Sequence, residues 1–388
     1  GAFGAREDLS LHAHLCLLAL HTRRPVKMVY SREESFHGHV HRHPARMWYR
    51  HHADRAGNLV RVEARLLLDG GAYASSSGAV IANATCFAAG PYRVPSADIE
   101  GVVVRTNNPP CGAMRGFGSV QACIGHEAQM DRLAAALGMD PVELRLRNVL
   151  ATGDRLSTGQ VITGTAPVAE VLRTCVDHPS AASLSGDPMS LPGGAGRTAD
   201  PAHVRRGEAV ALGFKNLMFS EGFDDSSSAI CRLEGGVATV TCACAEVGQG
   251  FVTLAQQITR EVLGVEEVVL APAATATVGS AGSTSASRQS WMSGGAVQAA
   301  CEEVRVRLLT RVADDRGVDP DELVLVEGRV VSLSGDFEAD LASVTAEAIE
   351  AEVEFRHAPT SPLDENGQGD AHVSFAFSAH RAIVDVDC

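Results

Sequence analysis

The sequence predicts an α+β fold: two mixed α/β domains, residues 1–178 and 207–388, joined by a linker over 179–206. Three observations carry this. Helix-period and strand-period segments succeed one another irregularly in both halves, unlike a doubly wound parallel sheet. Ser, Gly, Pro, Asp and Ala dominate 179–206 with almost no apolar periodicity, the composition of a solvated linker. At 388 residues, 45% hydrophobic and with mean hydropathy near zero, the chain has room for two or three domains with sizeable cores.

Leu9, Leu11, Leu15, Leu17, Leu18 and Leu20 predict a helix over 8–21, apolar round most of its surface and therefore expected to be buried. Pro25 ends it, and Val26-Lys27-Met28-Val29-Tyr30 reads as a strand. Residues 45–75 read as long antiparallel strands turning at Arg55-Ala56-Gly57-Asn58, with a bend at Gly70-Gly71. Ser119 to Leu137 is amphipathic and helical. Asp140-Pro141 opens the next helix, Asp as cap and Pro in the first turn. After the linker, strands are expected at 208–214, 228–233 and 237–244, and helices at 251–263, 294–315 and 343–350. The alternating 382–387 run reads as a strand cut short at Cys388. With a start at Gly1 and no Met, the sequence reads as an internal piece of a longer polypeptide.

The net charge of −14 argues against nucleic acid or an anionic membrane as partner, since either calls for a basic face. No apolar run approaches the ~20 residues that span a bilayer, and no secretory signal is visible. Among ten scattered cysteines, Cys242-x-Cys244 is the one close pair. Without C-x-x-C or ferredoxin-like spacing, no zinc or iron–sulfur site is expected within the chain. On a strand the pair would share a face, as small buried hydrophobes. Free thiols in this number fit a reducing cytoplasm. His37-x-His39-x-His41-x-His43, near His51-His52, would set four imidazoles on one strand face. Same-face neighbours stand about 7 Å apart, too far for all four to share one ion; loop polarity or oligomer contacts are the other account.

Three polar, glycine-rich loops are better candidates for chemistry. In Arg115-Gly116-Phe117-Gly118 the glycines let backbone N–H groups approach an anion at a helix start, Arg115 adds a guanidinium and Phe117 an aromatic face. A tight turn with a surface Arg is the plain alternative. Val247-Gly248-Gln249-Gly250 ends a strand and opens the 251–263 helix, and its neutral amide can donate to an oxo group. A solvent-facing Gln at a helix start would look the same. The run from Gly279 to Gln289, with Gly282-Ser283-Thr284-Ser285-Ala286-Ser287 at its centre, offers small hydroxyls and N–H groups as an anion nest, or a merely flexible polar loop.

In this order, with Gly1-Ala2-Phe3-Gly4-Ala5-Arg6-Glu7 at the start, the loops resemble the molybdopterin-binding large subunit of the molybdenum hydroxylases, most of all the xanthine dehydrogenase branch. The resemblance runs over nearly the whole chain and implies a molybdenum–molybdopterin cofactor. It implies that Phe3, Gly4, Arg115, Gly116, Gly248, Gln249, Ser285, Ala286 and Ser287 line that cofactor, Gln249 reaching the metal indirectly through its oxo ligand. Glu7, Asn83, Phe117 and Phe214 would face the substrate. Glu7 could equally be a helix-dipole partner, and Phe214 an ordinary core ring. Gly116 stands where carbon monoxide dehydrogenases carry a Cys, which argues against that branch.

The implied reaction is hydroxylation of a purine such as hypoxanthine or xanthine, with water as oxygen source. Iron–sulfur and FAD centres would sit on other subunits or on further sequence, in an oligomer of the heteromeric assembly. Two departures stand out. Xanthine-type enzymes of animals carry an Arg where gap-free counting places Asn83, and Asn supplies no full charge to the developing anion. The family's general base, a Glu in Gly-x-Gly-Glu near the C-terminus, has no match; Gly367-Gln368-Gly369-Asp370 is a superficial echo. No catalytic residue is therefore identified within the chain. The base is expected beyond Cys388, and the segment alone is expected to be inactive. A related molybdenum hydroxylase acting on aldehydes or other N-heterocycles is the first alternative, and a non-catalytic His-rich metal-binding protein the second.

Overall fold

The computed structural model describes residues 2–179, 204–218, 220–272, 274, 276, 278–280 and 282–387. The expected linker thus lies almost wholly outside the described residues, as do Gly1 and Ala281 of the candidate loops. By its contacts the chain divides into two units. The first comprises Phe3–Lys215, Leu363–Asp370 and Ser374–Cys388, and the second Gly1–Ala2, Asn216–Pro362 and Ala371–Val373. Packing therefore does not divide the molecule at 178 and 207. The first strand after the linker and the last strand of the chain both belong with the N-terminal part.

The first unit begins with α1 (His12–Thr22) and α2 (Arg32–Gly38), the latter closed at its start by a capping box between Ser31 and Glu34. No residue of α1 is buried, and Leu17 and Leu20 stand 65% and 76% exposed, so the expectation of a buried helix is corrected. The leucines of 8–21 are apolar by composition, but among the described residues Leu9, Leu17, Leu18 and Leu20 stand exposed and Leu11 and Leu15 are only half-buried. The strand expected at 26–30 is likewise absent; that stretch is unpaired.

Next, β1 (Ala45–Ala53) and β2 (Leu59–Gly71) form the expected antiparallel pair, with Trp48 opposite Arg65. Then α3 (Ser77–Cys86) crosses to β3 (Ser96–Arg105), which runs parallel to β2. A parallel neighbour needs such a crossover, and α3 supplies it. The helices α4 (Ser119–Leu137) and α5 (Pro141–Asn148) follow the sequence closely; Asp140 accepts from the Val142 and Glu143 N–H groups as its cap. After α6 (Val168–Asp177) comes β4 (Val204–Asn216). It is latched to α4 by the Leu212 N–H, which donates to Glu127 at 2.8 Å.

In the second unit, β5 (Ser226–Glu234) and β6 (Val237–Cys242) form a hairpin. The helix α7 (Phe251–Leu263) then leads to β7 (Val268–Leu270), parallel to β6. One helical turn, α8 (Ala286–Arg288), runs through a π-turn at Gln289–Ser293 into α9 (Gly294–Arg316). A small meander follows: β8 (Leu323–Val326), β9 (Arg329–Ser332) and β10 (Glu338–Asp340). The helix expected at 343–350 is corrected. One turn, α10 (Leu341–Val344), is followed by strand β11 (Ile349–Arg356), which completes the sheet β11-β5-β6-β7. Ile349, Ala351, Val353 and Phe355 alternate with glutamates, and period two decides for the strand. The core of this unit packs Ala296, Ala300, Val304 and Leu308 of α9 with Cys231, Leu233 and Val240 of the sheet.

The final strand, β12 (Phe375–Asp387), pairs with β4 in the first unit. Among the described residues no helix is long and apolar enough to cross a membrane.

Candidate functional site

In the first unit the Arg115 loop and the N-terminal segment form one ledge. The Arg115 N–H donates to the Phe3 carbonyl at 2.8 Å, and a Cβ on Gly4 would stand 3.4 Å from the Met114 backbone. Phe3, Gly4, Arg115, Gly116 and Phe117 are thus brought together. The turn is strained in a way that glycine relieves. Gly116, Phe117 and Gly118 take φ of 89°, 46° and 96°, and a Cβ on Gly118 would lie 2.3 Å from the Val80 carbonyl oxygen. Three groups pin the turn from below. Asn83 Nδ2 donates to the Phe117 carbonyl at 2.7 Å, Arg42 Nη2 to that of Arg115 at 2.6 Å, and Ser119 Oγ to that of Gly116 at 2.6 Å.

Asn83 itself is 1% exposed, so it anchors the loop rather than presenting an amide to a substrate. Its Oδ1 and the Arg42 Nη1 are buried without a described partner. The Arg115 side chain is exposed and the Phe117 ring half-buried. Glu7 lies exposed three residues beyond Gly4; desolvation, with the Asp8 charge, raises its carboxyl above the ordinary range.

Phe214 is not on this ledge. It is buried in the core of the same unit, edge-on to Phe87 with ring centroids 4.6 Å apart and stacked on Phe377 at 5.6 Å, so a substrate-facing role is corrected to a packing one. Residues Gly367–Asp370 form no base motif. Gln368 Nε2 donates to the Ser157 carbonyl and the Gly369 N–H to that of Thr158, closing a surface turn.

The second unit carries the other two loops, and here the residues that organise them were not read from the sequence. Glu246 fills the nest before α7 from within: its carboxylate accepts from the N–H groups of Gly248 (2.7 Å), Gly250 (3.2 Å) and Val252 (3.1 Å). Those bonds, that of Val252 foremost, hold its carboxyl below the ordinary range. Gln249 is anchored at both ends. Its Oε1 accepts from the Val247 N–H at 2.7 Å, and its Nε2 donates at 2.8 Å to both the Ala245 carbonyl and Gln289 Oε1. Both amide hydrogens are therefore committed.

Arg288, 4% exposed, fixes the third loop. Its guanidinium grips Asp225 with two bonds of 2.6 Å and reaches the carbonyls of Ser226 and Ser283 at 2.9 and 3.1 Å. At Gly282, φ 67°, a Cβ would stand 2.1 Å from Arg288 Nη2, so the loop closes on the guanidinium only with glycine there. Ser285 and Ala286 open α8, and Ser287 Oγ accepts from the Met218 N–H at 3.1 Å. One signal was available: Glu246 stands two residues before Gly248-Gln249-Gly250, within reach of the N–H groups at the start of α7. Gln289 and Arg288 carry none, because their partners lie 40 and 63 residues away.

The histidine comb does not form. His37 ends α2, and His39, His41 and His43 bond to Ser10, the Phe36 carbonyl and Ser77 respectively, on no common strand. Burial lowers His39 and His43, and takes His51 to about 4. Among the described residues these imidazoles make no three-membered metal cluster.

The exposed Arg115 guanidinium in the first unit suits an anionic cofactor such as molybdopterin, whereas in the second unit Glu246 already occupies the Gly248 and Gly250 N–H groups. In the first unit the loop glycines pack closely against Val120 and Val80 of the same unit, and Asn83 Oδ1 is buried without a described partner. In the second, nothing stands within 4 Å of a Cβ built on Gly250. Gln249 would hold an oxo group only by releasing Ala245 or Gln289.

Two mixed α/β units that present glycine-built polar loops define a cofactor-binding protein. One family model, described as a molybdopterin cofactor-binding domain, matches residues 1–149, and a second of the same description matches 194–388. The chain belongs to the molybdenum hydroxylase family, of which these are the cofactor-binding domains. Over 172 residues it is 46% identical to the nicotinate dehydrogenase large molybdopterin subunit of Eubacterium barkeri, covering 44% of this chain and 40% of that protein. It is 31% identical to a probable xanthine dehydrogenase subunit of Bacillus subtilis, across 100% of this chain and 50% of that protein. Among solved structures, quinoline 2-oxidoreductase from Pseudomonas putida 86 shares the fold, with a TM-score of 0.79 and 24% identity over 100% of this chain and 50% of its own. The chain spans half or less of the length of these relatives.

Proposed function

We propose that the chain is the cofactor-binding part of a molybdenum hydroxylase that acts on a purine such as hypoxanthine or xanthine, with iron–sulfur and flavin centres carried on other subunits or other sequence. When bound, the cofactor supplies two-electron oxidation coupled to insertion of a water-derived oxygen. Phe3, Gly4, Arg115, Gly116, Gly248, Gln249, Ser285, Ala286 and Ser287 are the residues that would bind it. Phe117 would stack on the flat ring and Glu7 accept from its N–H groups.

The observation that supports this most directly is the bond between Arg115 and Phe3. It ties the loop that carries the Phe117 ring to the segment that carries Glu7, pairing an aromatic loop with a carboxylate-bearing one. That pairing suits a ring bearing N–H donors better than an aldehyde. A second reading is a nicotinate-like N-heterocycle, supported by the 46% identity to the nicotinate dehydrogenase subunit. Asn83 also favours it, since its amide is bonded into the loop and offers no charge to a purine anion.

The test is turnover by the full-length protein with its natural subunits on xanthine, hypoxanthine, nicotinate and an aromatic aldehyde, for the wild type and Glu7→Gln. Purine turnover with KM raised in the variant is expected. Turnover of the aldehyde alone, unchanged by the substitution, would sink the reading.

A further inference from the structure

The second unit contains two pairs of cysteines in sulfur–sulfur contact. Cys231 and Cys301 meet at 3.6 Å, both fully buried between β5 and α9. Cys242 and Cys244 meet at 3.5 Å, both half-buried, where β6 runs out toward the Gln249 loop. We propose that Cys242 and Cys244 close to a reversible intramolecular disulfide on meeting a hydroperoxide, which makes this Cys-Ala-Cys an oxidation site at the root of the Gln249 loop. Nothing in this depends on the substrate proposed above.

Three features carry it. The sulfurs need to approach only from contact to the disulfide length of about 2.05 Å, and β6 ends at Cys242, so the backbone at 243 and 244 is outside the sheet ladder and can follow. The two thiols are also unequal. The hydrogen bond between them, joined by Ser293, Gln289 and the Arg288 charge, holds Cys244 below the ordinary thiol range, while the same bond and burial push Cys242 up. Cys244 is thus the nucleophile and Cys242 the resolving thiol. Finally, both are reachable in a way that Cys231 and Cys301, each 0% exposed, are not.

The chemistry balances as two steps. Cys244 thiolate attacks one peroxide oxygen; an S–O bond forms, the O–O bond breaks, and the departing hydroxide takes a proton to become water. Cys242 then attacks the Cys244 sulfenic sulfur; the S–S bond forms, the S–O bond breaks, and the leaving hydroxide takes the Cys242 proton as a second water. Two thiols lose two electrons and hydrogen peroxide gains them. The next residue is Ala245, whose carbonyl accepts from both Gln249 and Gln289. Drawing Cys244 toward Cys242 pulls on that carbonyl, so oxidation would loosen the Gln249 amide.

Treating the full-length protein with hydrogen peroxide and digesting it without reduction tests this. The expected result is a peptide carrying both Cys242 and Cys244 with two hydrogens fewer, restored by dithiothreitol. It should form at least about tenfold faster than any oxidation at Cys231 or Cys301. In Cys242→Ser, Cys244 should stop at the sulfenic acid and take up dimedone. Hydrogen exchange at Val247, whose N–H is held by Gln249, should rise on oxidation and fall back on reduction. Free thiols at 242 and 244 while other cysteines oxidise, or sulfinic acid there without a disulfide, would overturn the proposal. So would a Cys242→Ser protein whose Cys244 takes no dimedone.

Discussion

Gln249 and Gln289 are joined amide to amide at 2.8 Å, and both donate to the Ala245 carbonyl. The residue expected to present a free amide to the cofactor is instead held in a three-way clasp, with Gln289 1% exposed beneath it. The clasp fixes where the amide sits, at the cost of leaving it no spare hydrogen. Any contact to an oxo group must compete with Ala245 or Gln289.

Gln289→Met keeps the volume and removes the acceptor. It should destabilise the protein by about 1–3 kcal/mol, the range for leaving buried partners unsatisfied, and speed hydrogen exchange through residues 245–252. Urea denaturation and exchange mass spectrometry together check it. Unchanged exchange in that segment would mean the clasp does not hold the loop.

Asn83→Ala removes the one side-chain amide under the Phe117 turn. The Phe117 backbone sits at φ 46°, a conformation that costs a non-glycine residue of order 1 kcal/mol or more. Without the 2.7 Å bond from Asn83 the carbonyl is released and the turn should relax. Stability should fall by about 1–3 kcal/mol. Under the function proposed above, in which Phe117 stacks on the substrate, the fall in kcat/KM of the full-length protein should appear mainly in KM, because Asn83 bonds to the Phe117 carbonyl and is itself buried. A variant that lowers kcat alone would instead place Asn83 at the reaction itself.

Much of the scaffold was legible. The helix Phe251–Leu263 was read to the residue and Ser119–Leu137 likewise, because glycines bracket amphipathic runs at both. Local pattern failed where partners are distant in sequence. β12 pairs with β4 across about 170 residues, and no period within either strand says so. The 343–350 stretch was misread because Ala and Glu favour helices, while the alternation that makes β11 begins only at Ile349. At the site, each glycine turn announced itself, but what holds it did not. Asn83 beneath Phe117 and Gln289 beneath Gln249 lie 34 and 40 residues from the groups they bind.

Acid stability should be governed by Glu127, at the junction of α4, α5 and β4. Its carboxylate accepts from Tyr92 at 2.5 Å, His126 at 3.0 Å, Arg145 at 2.9 Å and the Leu212 N–H at 2.8 Å. Burial works to raise this carboxyl, but the bonds and charges of His126, Arg145 and Tyr92 outweigh it and bring it to about 2 from an ordinary 4.5. A depressed folded-state value means that the unfolded chain takes up the proton first. The stabilisation is therefore whole above about pH 4.5 and is lost as pH falls toward 2, and at about 1.4 kcal/mol per unit it is on the order of 3 kcal/mol. Glu127→Gln should be less stable near pH 7 by about 3–5 kcal/mol, because the fully buried Arg145 is left with Asp131 at 2.8 Å as its carboxylate partner, beside the carbonyls of Pro141 and residue 127. The gap between variant and wild type should then narrow as pH drops below 4.5, since the wild type alone loses this term. Urea midpoints from pH 7 to 3 read this directly. Two curves that stay parallel across the range would show that Glu127 is not the group whose protonation weakens the fold.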